Sequence, residues 1–100
     1  MTQGEVWWVS FEQSIGDEVK KQRPAIIISN DISNKYLNRV QVIPLSSKTD
    51  KLYPSETYVI IKNKQHKAMA DQIATVSKKK VYQIGLVEFL NQNYRILKEL

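Results

Sequence analysis

A chain of 100 residues, 42% hydrophobic and 25% charged, has the length and composition of one folded domain, and no repeat, linker or low-complexity tract subdivides the span 1–100. It has no cysteine and a single histidine, His66, which excludes disulfides, thiolate metal sites, a cysteine nucleophile and a paired-histidine acid–base system. A formal charge of +5 favours a polyanionic partner, nucleic acid or an acidic protein. With no apolar run near the ~20 residues of a membrane span and no leader-like start, the expectation is a cytoplasmic protein without a membrane partner.

The predicted elements run as follows. Gly4–Phe11 (GEVWWVSF) is dense in aromatic and β-branched residues and reads as a first strand. Residues 12–22 carry Gly16 and several charges, too polar for a core, and read as a long hairpin loop. The stretch Gln22–Asp31 (QRPAIIISND) is the most informative. Pro24 biases Arg23 towards an extended conformation, the run from Ala25 to Ile28 reads as a short buried strand, and Ser29-Asn30-Asp31 closes it. One helical turn is expected within 30–38. Arg39–Leu45 is a third strand in which Pro44 marks an edge or a bulge, and 46–55 is a second polar loop. Glu56–Lys62 is a fourth strand, 63–66 a turn that leaves His66 exposed, and Lys67–Ser77 a fifth strand interrupted at Asp71-Gln72. Ser77 caps a turn made by the three following lysines. Leu86, Phe89, Leu90, Tyr94 and Leu97 recur at helical spacing, which predicts an amphipathic helix over 85–98. The fold class is therefore mainly β with a C-terminal α-helix packed on a small, partly open barrel.

An arginine held at the mouth of a buried strand can bind an oxyanion, although surface arginines commonly do no more than pair with a carboxylate. Lysines on both long loops, Lys20, Lys21, Lys48 and Lys51, can line a path for a phosphate backbone. Lys62–Lys67 and Lys78–Lys80 read instead as solvated faces. Trp7, Trp8, Tyr53 and Tyr58 can stack on bases, but paired tryptophans on a strand more often serve a core or a dimer interface. In an antiparallel barrel the end of one strand lies beside the start of a neighbour, so Ser46 and Ser47 can meet Arg23 at one rim.

Four segments then acquire a joint meaning: GEVWWV at 4–9, RPAIIISND at 23–31, VIPLSS at 42–47 and ADQIATV at 70–76. In this order and spacing, across nearly the whole chain, the sequence resembles the MazF/PemK family of bacterial toxins. The resemblance implies an SH3-like barrel with added helices, a homodimer, and a metal-independent endoribonuclease without cofactor that cuts single-stranded RNA at short sequences. It also implies a cognate antitoxin, acidic and folding as it binds, which covers the RNA site. Arg23 matches the family's active-site arginine, to which an acid–base role is also ascribed, although a guanidinium loses its proton only above pH ~12. Ser46 stands where threonine is usual, keeping the hydroxyl but losing the methyl that fixes its rotamer, so reduced order is expected there. Gln72 falls in the family's D/E-Q-I motif, Glu18 matches a glutamate of the first loop, and Ala74 replaces a frequent arginine. The catalytic pair is thus Arg23 and Ser46, with Glu18, Lys20, Lys21, Ser47, Lys48 and Gln72 as substrate-binding residues.

Two other readings compete. A toxin of the same fold similar to CcdB acts on DNA gyrase and does not need Arg23 and Ser46. A non-enzymatic SH3-like module would hold nucleic acid or an acidic peptide on its basic loops.

Overall fold

The computed structural model describes residues 1–11, 21–61 and 63–82. Seven strands, β1 (Val6–Phe11), β2 (Lys21–Ile27), β3 (Arg39–Ser46), β4 (Glu56–Ile61), β5 (Lys64–Met69), β6 (Ala74–Ser77) and β7 (Val81–Tyr82), form one open antiparallel sheet. The order is β4-β5-β3-β2-β1-β7, with β6 also paired to β3. A short helix, α1 (Asp31–Tyr36), follows β2, and the fold is mainly β. The helix predicted over 85–98 lies outside the described residues, as does most of the loop 12–22, whose last two residues belong to β2, which begins at Lys21.

The central strands bury side chains on both faces, because successive residues of a strand point to opposite sides. Val6, Ile26, Ile43, Leu45, Val59, Ile61 and Ala68 form one core, and Val9, Ala25, Ile27, Val40, Val42 and Val81 form the other. The unbroken apolar run of β2 is the sequence signature of this arrangement, and Ala25, Ile26 and Ile27 are completely buried.

Local chemistry fixes the ends of these elements. Gly4 takes a φ of 92°, and Gly4 N–H donates to Ile27 O at 2.7 Å while Ile27 N–H donates to Glu5 O at 2.9 Å. Two residues thus oppose one, a bulge that starts β1 at Val6 and not at Gly4. After β2, Asn30 Oδ1 accepts from Ser33 N–H at 2.8 Å and caps α1, while Asp31 Oδ1 accepts from Gln3 N–H at 2.7 Å. Buried Asn34 is satisfied by the hydroxyl and carbonyl of Ser29. Ser77 Oγ accepts from Lys79 N–H at 3.2 Å, the cap predicted for the lysine turn.

Two sequence expectations are corrected. β3 is a central strand and Pro44 does not mark an edge. Residues Arg39–Val42 pair with β6 and Leu45–Ser46 with β5, so Pro44 falls where β3 changes partner, a position at which a missing N–H breaks no ladder. The turn expected over 63–66 shrinks, because Asn63 adopts a φ of 64° and Ile61 already pairs with Lys64. The fifth strand accordingly begins at Lys64. A 3-10 turn, Ala70–Gln72, then separates β5 from β6 where the interruption was expected.

Candidate active site

Prolines shape the site. Pairing between β2 and β3 runs through Ile27↔Val42, Ile26↔Ile43 and Ala25↔Pro44 and stops there. Pro24 has no N–H with which to extend it. Beyond this point β2 stays with β1, Arg23 opposite Val9, whereas β3 passes to β5 through Leu45↔Ala68 and Ser46↔Lys67. The strands part, and a groove of about 800 Å³ opens between them. Val6, Trp8, Leu45 and Ile61 give it an apolar floor; Arg23, Ser46, Ser47, Lys48, Lys64 and His66 line it with polar groups.

Arg23 is half-buried and, among the described residues, has no carboxylate partner. The Ser46 hydroxyl oxygen accepts from Lys48 N–H at 3.1 Å. Because the oxygen is the acceptor in this turn, the hydroxyl proton remains available to a ligand. The lining contains Arg23, Lys48 and Lys64 but no carboxylate among the described residues, which makes it an anion-attracting cleft with an apolar base. No group of three His, Cys, Asp or Glu side chains suited to a metal ion occurs among the described residues.

The loop that carries Ser47 and Lys48 is tied down from beneath. Lys67 Nζ lies 3.1 Å from Glu56 Oε1 and donates to Lys51 O at 3.1 Å, beside the Tyr53 ring. Glu56 Oε1 also accepts from Tyr53 N–H at 3.0 Å, and Tyr58 Oη donates to Thr49 O at 3.0 Å. The Tyr53 N–H, followed by Lys67, holds the Glu56 carboxyl below its ordinary range against the opposing effect of burial.

Other predicted residues lie elsewhere. Gln72 is exposed on the 3-10 turn, its amide donating to Met69 Sδ at 3.6 Å, and is not among the lining residues. Glu18 and Lys20 are outside the described residues; Lys21 opens β2 opposite Phe11, and its side chain is likewise outside them. The two tryptophans divide: Trp7 packs on the second core with Nε1 bonded to Glu5 Oε1 at 3.0 Å, and Trp8 joins the groove floor.

His66 departs most from the sequence reading. It is half-buried on β5, lines the groove, and its Nδ1 lies 3.2 Å from Lys64 O. The overlooked signal is the two-residue period: His66 shares a strand face with Ala68, which is fully buried in the first core.

The family model described as PemK-like, MazF-like toxin of type II toxin–antitoxin system matches residues 2–94. Endoribonuclease MazF9 of Mycobacterium tuberculosis is 31% identical over 86 residues, covering 77% of this chain and 73% of that protein. Probable endoribonuclease MazF1 of the same organism is 37% identical over 57 residues, covering 52% of this chain and 61% of that one. A crystal structure of MazF from Deinococcus radiodurans superposes with a TM-score of 0.81 at 20% identity, covering 99% of this chain and 90% of that one. A MazE–MazF structure from that organism gives 0.78 at 20% identity, over 99% and 89% of the two chains. The chain belongs to the PemK-like, MazF-like toxins of type II toxin–antitoxin systems.

Proposed function

We propose that the protein is a toxin endoribonuclease that cleaves single-stranded RNA within the groove between β2 and β3, without a metal ion. The observation that carries this is the convergence of Arg23 and Ser46 on one cleft, with no carboxylate among its described lining residues, at the point where Pro24 ends the pairing of β2 with β3. RNA brings its own nucleophile, the 2′-hydroxyl beside the scissile phosphate. The protein has to align it, assist proton movement and stabilise the charge that builds on the phosphoryl oxygens. Arg23 donates a two-pronged hydrogen bond to those oxygens, and the Ser46 hydroxyl donates to the phosphate or holds the 2′-oxygen. The 2′-oxygen bonds to phosphorus as the bond to the 5′-oxygen breaks, leaving a 2′,3′-cyclic phosphate and a free 5′-hydroxyl. Lys48 and Lys64 draw the flanking phosphates into the cleft, and Trp8 offers its face to an unpaired base.

The toxin works in the cytoplasm as a homodimer, with a terminal helix completing an SH3-like barrel, and an acidic antitoxin that folds on binding covers the cleft. Solved structures of similar fold include an endoribonuclease from a Mycobacterial species in complex with its cognate antitoxin, which supports an antitoxin as partner. Arg23 and Ser46 favour this reading over a gyrase-directed toxin, which needs neither.

The test is incubation of the purified chain with a long mixed-sequence RNA in EDTA, beside Arg23→Ala, Ser46→Ala and Ser46→Thr. Discrete cuts by the wild type, retained by Ser46→Thr, reduced by Ser46→Ala and lost in Arg23→Ala, are expected. Removal of a single oxyanion-stabilising donor costs about 10²- to 10³-fold in comparable sites. Intact RNA with every protein overturns the assignment in favour of a protein-directed toxin or a binding module.

A further inference from the structure

The cleavage proposed above needs a group that accepts the 2′-hydroxyl proton, and neither Arg23 nor Ser46 is suited to it. A guanidinium stays protonated below pH ~12, and a serine hydroxyl is a donor of comparable reluctance. Among the described lining residues there is one imidazole, the side chain that most often serves as a general base, and it is that of His66.

Its placement follows from the strand register. Ser46 pairs with Lys67, so His66 is the next residue along β5 from the partner of Ser46, at the same end of the sheet. Lys67 turns to the far side, where Glu56 holds it, while His66 shares its face with Ala68 and opens into the cleft. The contact of Nδ1 with Lys64 O, at 3.2 Å, orients the ring. In the tautomer with the proton on Nδ1, that atom donates to the carbonyl and Nε2 is left as the acceptor. Among the described residues, the charged groups that line the cleft with His66 are Lys64 on its own strand, Lys48 after β3 and Arg23 on β2; β4 presents Val59 opposite it.

Resting on the ribonuclease reading, we propose that His66 is the general base of the reaction, its Nε2 taking the 2′-hydroxyl proton as the nucleophile attacks. The 2′-oxygen forms its bond to phosphorus, the bond to the 5′-oxygen breaks, and the departing 5′-oxygen takes a proton from water. The imidazolium then returns its proton to solvent, so charge and protons balance over the turnover. Arg23 stabilises the phosphoryl oxygens and transfers no proton.

The experiment is single-turnover cleavage of one RNA from pH 5 to 9 by the full-length wild type, His66→Gln and His66→Ala, with thermal melting of each as the folding control. The wild-type rate should rise with pH and level off. His66→Gln, which preserves size and a hydrogen-bonding amide, should be slower by about 10²- to 10⁴-fold. It should also lose that acidic limb while its RNA affinity stays within about threefold. Added imidazole should accelerate His66→Ala and leave the wild type unchanged, a response that a merely structural histidine cannot give. Cleavage by His66→Gln within about threefold of wild type, or an unchanged acidic limb, overturns the role of His66 while leaving the ribonuclease in place. Failure of the wild type to cut RNA at any pH overturns both.

Discussion

Glu56→Gln is the substitution whose outcome the structure specifies most fully. The two side chains of the Lys67–Glu56 pair are only 11% and 6% exposed, and a single carboxylate oxygen serves both Lys67 and the Tyr53 N–H. The amide retains a neutral acceptor for Tyr53 but withdraws the counter-charge from Lys67, whose other contacts are Lys51 O and the Tyr53 ring. Hydrogen bonds to charged groups are worth about 1.5–3 kcal/mol, so a loss of about 2 kcal/mol is expected, or about 8–16 °C in Tm for a domain of this size. The pH dependence has a definite sign. Glu56 has its folded-state pKa depressed below the ordinary 4.5, so its stabilisation is complete above that value and disappears as pH falls through the lower, folded one. Thermal unfolding of both proteins at fixed concentration should therefore show the full gap at pH 7.5 and a shrinking one below pH about 4.5. A double variant, Glu56→Leu with Lys67→Met, should recover part of the loss because it leaves no unpaired buried charge. A gap under about 2 °C at pH 7.5, or one that is constant with pH, refutes the reasoning.

Two further outcomes follow from the core and from the cleft. Ile26→Ala, at a completely buried position of the first core, should cost about 2–5 kcal/mol in denaturant unfolding, read as a lowered midpoint. Lys48→Ala and Lys64→Ala should each weaken binding of an uncleavable RNA and flatten its salt dependence by about 0.7 in the log–log slope, whereas Lys79→Ala, outside the cleft, should change neither.

Much of this architecture can be read from the chain because local and tertiary signals agree. The run after Arg23-Pro24 has to be a strand buried on both faces, and the proline that marks its start also ends its pairing with β3. Ser77 before three lysines yields its cap as read. The reading fails where tertiary context reverses a local preference. Pro44 looks like an edge residue because a single sequence does not reveal that β3 trades β6 for β5 at that point. Lys64-Gln65-His66-Lys67 looks like a solvated turn, yet it forms a strand whose polar side chains alternate between the cleft and a buried ion pair. Lys67 in particular is hidden from any composition argument, because its partner lies on another strand and its hydrogen bonds go to the backbone of a loop. Barrel geometry allows Arg23 and Ser46 to meet at one rim, and the order of the four motifs singles them out as a pair; the splitting of β2 from β3 supplies the physical reason that they share that rim.

Cleavage of an RNA carrying a single 2′-deoxy substitution at the cut site, beside its all-ribose parent, tests the central claim most directly. The account predicts that the parent is cut to a 2′,3′-cyclic phosphate and a 5′-hydroxyl while the substituted strand still binds and remains intact. Cutting of the deoxy strand at the same bond would show that the nucleophile is not the RNA's own hydroxyl and would contradict the mechanism assigned to the cleft.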